Sequence, residues 1–152
     1  MSKRHFEDFN VGDRLPLGSR RVTRAEIIAF ASEFDPQPFH LDEQTGPDGL
    51  VTGLLASGWH VGALFMNMLC TGFLLDSTSM GSPGIEMLKW QHPVRSDDTL
   101  TGFSTVLETR TSKSRPDIGI VRFRHEVLNQ AGETVMWLEN PIMFRRREGD
   151  SA

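Results

Sequence analysis

The chain has 152 residues, 38% of them hydrophobic and 24% charged, with a formal charge of -4 and a single cysteine. That length suits one domain over residues 1–152, and the composition lies outside the weakly hydrophobic, highly charged range in which chains stay disordered. Sixteen Lys and Arg against twenty Asp and Glu leave no basic footprint for a nucleic-acid backbone, and Cys70 alone forms neither an internal disulfide nor a cysteine zinc cluster, so a reducing, cytoplasmic setting is expected.

Phe6 to Phe9 reads as a short strand running into a turn at Gly12, and Leu15 to Val22 as a second strand. Thr23 with Glu26 three residues on has the pattern of a capping box, and Ile27, Ile28, Phe30 and Ala31 follow at helical spacing; a helix from Arg24 to Phe34 results. Pro36 and Pro38 then disfavour helix at the residues before them, so Asp35 to Phe39 should be extended.

Gly49 to Leu75 contains no Asp, Glu, Lys or Arg. Its continuously apolar part, Val61 to Leu75, is shorter than the roughly 20 residues a bilayer needs, and Ser57, His60, Asn67 and five glycines interrupt the run. Trp59 to Leu75 therefore reads as a helix buried on all sides of a soluble domain, with no membrane partner. From Ile85 the period changes toward two: Ile85 to Val94, Thr99 to Thr109, Ile118 to Leu128 and Thr134 to Phe144 are strand candidates, the last two joined at Asn129 to Gly132. Early helices followed by an antiparallel meander give an α+β class.

The segment Asp35-Pro-Gln-Pro-Phe-His40 carries the clearest chemical signal. It delivers a carboxylate and an imidazole on a proline-stiffened backbone directly after a capped helix, and stiffening reduces the freedom lost in holding two groups around one water. Taken alone, the pair also fits a turn-forming Asp and a structural His. Ser57 is placed to cap the buried helix, Asn67 needs a core or interface partner for its amide, and His60 reads as structural. No ligand spacing around His40 and His60 suggests a metal site.

The chain resembles the MaoC-like dehydratases, the group that includes the (R)-specific enoyl-CoA hydratases of the hot-dog fold. The matching pieces are Phe6 to Asp13, the helix from Thr23 to Ala31, Phe34 to Asp42 with its Asp-x-x-Pro-x-His spacing, Ala56 to His60, Ser82 to Gly84, Pro93 to Leu100 and Ser114 to Asp117. The resemblance implies an antiparallel sheet wrapped around a long central helix, in a homodimer or an assembly of dimers. It also implies that Asp35 and His40 hold a water beside the C2=C3 bond of a 2-enoyl-CoA, His40 exchanging the proton and Asp35 orienting the water. The backbone N–H of Gly58 would receive the thioester oxyanion. Coenzyme A enters as part of the substrate, with no separate cofactor.

Lys113 and Arg115 form a basic loop that could meet the CoA phosphates, with Ser57 nearer the reacting end. One departure from the family is Thr45 to Gly49, rich in Gly and Pro where many members carry an Ala-rich helical stretch. Two rival functions share the resemblance. One is a hot-dog acyl-CoA thioesterase; the other is a non-catalytic acyl-CoA-binding subunit, against which the retention of both Asp35 and His40 argues.

Overall fold

Alternation of more and less buried residues along three long segments builds a sheet with one face on the core. In the computed structural model, which describes residues 3–42 and 53–148, these are β3 (Thr99–Thr111), β4 (Ile118–Leu128) and β5 (Thr134–Arg145). A fourth strand, β1 (Arg14–Arg21), and a short one, β2 (Met87–Trp90), occupy the edges. The order is β1-β3-β4-β5-β2, every pairing antiparallel. The inward side chains Val121, Phe123 and Val127 of β4 and Leu138, Ile142 and Phe144 of β5 are buried. The opposite face carries an ionic lattice in which Arg122 and Arg124 both reach Glu139.

Helix α1 (Arg24–Phe34) starts where the sequence places it. Thr23 Oγ1 accepts from the Glu26 amide at 3.3 Å while the Glu26 carboxylate accepts from the Thr23 amide at 2.8 Å. The central helix α2 (Gly58–Gly72) begins one residue earlier and ends three residues earlier than the periodicity suggests, with a 3₁₀ turn over Leu74–Asp76 taking up the remainder. It is not buried on all sides. Val61, Leu64, Phe65, Met68 and Leu69 face the sheet, whereas Trp59 is 65% and Met66 45% exposed. Absence of charge marked the helix, but it did not say that both faces were covered. Asn67 likewise lies on the outer side, where its Oδ1 accepts from Arg20 Nη1 at 3.1 Å.

Phe6–Asp8 forms a 3₁₀ turn rather than a strand. The His5 amide donates to Asp8 Oδ2 at 2.8 Å and closes the turn, and side chains three apart then lie on one side, where a strand would send them to opposite faces. Phe9 can thus bury itself against Phe73, Phe123 and Phe144, with Phe6 beside it against Gly119.

The expected strand from Ile85 to Val94 is cut to Met87–Trp90. Before it, Met80 and Gly81 already bond to Met143 of β5, and pairing resumes at Glu86 with Glu139. Between them Ser82 to Gly84 loop away from the sheet. At the other end Pro93 has no amide to continue the ladder. The Asn129–Gly132 connection is the tight turn the sequence signals, with Gly132 at φ +78° and its amide donating to the Asn129 carbonyl. The result is a five-stranded antiparallel sheet curled around one helix, as expected of a hot-dog domain.

Candidate active site

Asp35 and His40 are brought together by a change of backbone type between them. Asp35 follows the last turn of α1, its amide still donating to Ala31. The chain is extended at Gln37, and Pro38–His40 then forms a single 3₁₀ turn with Pro38 in its first position. An extended run through Phe39 would have set the two side chains on the order of 16 Å apart. The turn instead folds His40 back, so that its Nε2 lies 3.3 Å from Asp35 Oδ2.

Each partner is fixed from behind. His40 is buried, and its Nδ1 donates to the Leu55 carbonyl at 2.6 Å. Because a carbonyl only accepts, neutral His40 must carry its proton on Nδ1, and Nε2 presents a lone pair toward Asp35. Leu55 is itself held by its amide on the Phe39 carbonyl. On Asp35, Gln37 Nε2 donates to Oδ1 at 2.7 Å. The Ser57 hydroxyl faces the same carboxylate; Ser57 first and Gln37 second hold the Asp35 pKa below its usual 3.8.

Ser57 is therefore not the cap it resembles. It occupies the N-cap position of α2 but makes no side-chain capping bond. It is fully buried, and its Oγ lies outside strict hydrogen-bond geometry to any partner in the described residues. Its orientation serves the Asp35 carboxylate rather than the helix.

Gly58 is the first residue of α2, so its N–H has no acceptor within the helix and sits at the positive end of the helix dipole. The indole of Trp90 lies across it: Trp90 Nε1 donates to the Gly58 carbonyl at 2.9 Å, and a Cβ at position 58 would stand only 2.6 Å from the Trp90 ring. A glycine is needed here to admit the tryptophan as well as any ligand. Asp35, Gln37, His40, Gly58, Trp59 and Trp90 open together onto a cleft of about 410 Å³, floored by Val94 and Val135.

Lys113 and Arg115 do not join this cleft within one chain. They sit in the turn between β3 and β4, at the end where Ile118 pairs with Arg145, whereas the cleft meets β5 at Val135. Along β5 that is about 33 Å. Arg115 is also engaged, donating through Nε and Nη2 to Asp117 at 3.1 and 3.0 Å. His60 is buried, stacked on Phe30 at 4.8 Å, and burial lowers its pKa. The segment Thr45 to Gly49 lies outside the described residues.

Sequence reasoning missed Gln37, Trp90 and a buried polar chain on the sheet. The signal for Gln37 was its position between two prolines, where only a short reach to Asp35 is open. Trp90 carried none before the sheet register was known. In the polar chain, Ser104 Oγ lies 2.7 Å from His125 Nδ1, and His125 Nε2 lies 2.8 Å from Asn140 Oδ1.

Comparison with known proteins bears on the family and the fold. The MaoC-like domain pattern matches residues 10–129. A MaoC-like dehydratase from Rhodospirillum rubrum superposes with a TM-score of 0.87 at 44% identity, over 95% of this chain and 98% of that one. An (R)-hydratase from Pseudomonas aeruginosa superposes with a TM-score of 0.74 at 24% identity, over 95% and 88% of the two chains, and shares the fold. The uncharacterised YdeM protein of Bacillus subtilis is 28% identical over 142 residues, 93% of this chain and 99% of its own.

Proposed function

The chain belongs to the MaoC-like dehydratase family, and from that premise we propose that it adds water to a 2-enoyl-CoA, or removes it from the corresponding (R)-3-hydroxyacyl-CoA. The observation that carries this reading is the Asp35–His40 pair, with its tautomer fixed by Leu55 and its cleft bordered by the first amide of α2.

The thioester carbonyl accepts from the Gly58 N–H, which withdraws charge from the C2=C3 bond. A water beside C3 donates one hydrogen bond to Asp35 and the other to the Nε2 lone pair of His40. As the water oxygen bonds to C3, its proton passes to His40 and the π electrons move toward the thioester oxygen. The imidazolium then returns that proton to C2. A C–O bond and a C–H bond have formed, one π bond has been lost, and His40 is neutral again. The lowered Asp35 pKa suits a group that stays ionised and orients, while His40 carries the proton.

A second copy of the chain is part of the proposal. Strand β2 is a sheet edge, and Trp59, Met66, Ile85, Met87 and Trp90 expose apolar surface along it and along α2. The test of function is incubation with crotonyl-CoA while enoyl-thioester absorbance and free thiol are followed in parallel. Loss of absorbance without thiol supports hydration. Release of thiol assigns a thioesterase, and neither change across several chain lengths removes the enzyme reading for simple acyl-CoA.

A further inference from the structure

Beside the catalytic cleft lies a second cavity of about 330 Å³, and Trp59 borders both. It runs between α2 and the β2–β5 edge, under the Ser82 to Gly84 loop, with Phe65, Leu69, Leu88, Leu138 and Ile142 making it apolar. Ser79, Ser82 and Asn140 are the polar exceptions in its wall. Asn140, 9% exposed, reaches it from the core face of β5.

The orientation of the Asn140 amide follows from Ser82, whose hydroxyl donates its one hydrogen to the Gly84 carbonyl at 2.9 Å and can only accept from Asn140, so the NH₂ lies toward Ser82 and Oδ1 toward His125. His125 is almost wholly buried, and burial lowers its pKa to about 4, so it is neutral near pH 7. Its Nε2 meets Asn140 Oδ1, which only accepts; the proton is therefore on Nε2, and Nδ1 accepts from the Ser104 hydroxyl. The Asn140 NH₂ is turned away from His125. One of its hydrogens reaches Ser82 Oγ at 3.3 Å. The second is a donor that the cavity can use, on a side chain that cannot flip without setting its carbonyl oxygen against a Ser82 hydroxyl whose hydrogen is committed to Gly84.

Resting on the proposed hydratase activity, and taking this cavity as the acyl-chain subsite which that activity requires, we infer that Asn140 is a specificity-determining residue. It selects chains bearing a hydrogen-bond acceptor, such as a hydroxyl, remote from the thioester over plain alkyl chains of equal length. A site that places a buried donor against its ligand discriminates against the analogue lacking the acceptor, because the donor is then left unpaired. Continuity at Trp59 identifies the occupant: with the thioester at Gly58, a chain leaving C3 past Trp59 runs beside α2 into this space.

The test measures kcat/KM for crotonyl-CoA, trans-2-octenoyl-CoA and ω-hydroxy-trans-2-octenoyl-CoA. The wild-type protein should prefer the hydroxylated chain over the alkyl chain by about 5-fold or more. Asn140→Leu and Asn140→Asp should each erase that preference while retaining crotonyl-CoA turnover; the second keeps an acceptor toward His125 if the first fails to fold. Gly62 borders the cavity, and a Cβ there would meet nothing within 4 Å. Gly62→Leu should therefore cut both eight-carbon substrates about 10-fold and spare crotonyl-CoA. Equal rates for the two long chains in the wild type, or a preference that survives both Asn140 variants, overturns the role of Asn140. Undiminished long-chain activity in Gly62→Leu, or a change in its oligomeric state with loss of all three activities, overturns the acyl assignment of the cavity. Absence of crotonyl-CoA turnover in the wild type is a different result, which removes the hydratase reading and this inference with it.

Discussion

His40 Nε2 and Asp35 Oδ2 lie 3.3 Å apart, yet the Leu55 carbonyl at His40 Nδ1 dictates that neutral His40 presents a lone pair, not a proton, toward the carboxylate. Two acceptors facing one another invite a shared donor, and a water with its two hydrogens directed to them satisfies both. The chemistry assigned to the pair depends on that arrangement.

Ser57→Ala removes the leading influence that holds the Asp35 pKa down. The carboxylate should then protonate at a higher pH, so the acidic limb of the kcat/KM profile should move toward neutrality. Since Ser57 makes no capping bond, the variant should lose less than the ~1 kcal/mol typical of a true N-cap serine. A pH–rate profile with an unmoved acidic limb would detach Ser57 from Asp35.

Gly58→Ala should be costly in stability as well as rate. The added Cβ would stand 2.6 Å from the Trp90 ring, and such overpacking costs about 1–3 kcal/mol. Trp90→Leu in the same chain should restore much of that loss by making room. Thermal unfolding of the single and double variants checks this; equal melting of wild type and Gly58→Ala would show that the indole yields freely.

His125 makes stability depend on pH. Its folded-state pKa is about 4 against 6.5 ordinarily, so between those values the unfolded chain binds a proton that the folded chain refuses. Stability should thus be complete above pH 6.5 and fall as pH drops toward 4, by roughly 3 kcal/mol from this group. His60, also shifted down by burial, acts in the same direction. Denaturant unfolding across this range should show a shallower slope in His125→Gln, and an unchanged slope would count against the buried neutral imidazole.

Much of the fold was legible because it rests on local signals: the Thr23–Glu26 capping box, the two-residue period of β3 to β5, and the Asn129–Gly132 turn. The Phe6–Asp8 turn was not, because alternation and a 3₁₀ turn place Phe6 and Phe9 differently only once the aromatic core they enter is known. Asp35 and His40 stood out through the prolines that stiffen them. The bend that joins them is local, but the prolines' preference for extended backbone hid the 3₁₀ turn; the Ser57 hydroxyl turned onto Asp35 and Trp90 over Gly58 are long-range contacts that no spacing within a short segment encodes. The Lys113 and Arg115 loop looked suitable by charge alone; strand register puts it at the far end of the sheet.

If Asp35 and His40 hold one water between them, removing either should cost about as much as removing both. The decisive measurement is kcat/KM for crotonyl-CoA hydration by the wild-type protein, Asp35→Asn, His40→Ala and the double variant, each shown to be folded. Each single variant should lose about 10²- to 10⁴-fold, with the double variant close to the poorer single. Losses that multiply, or wild-type turnover in either single variant, would contradict a shared water.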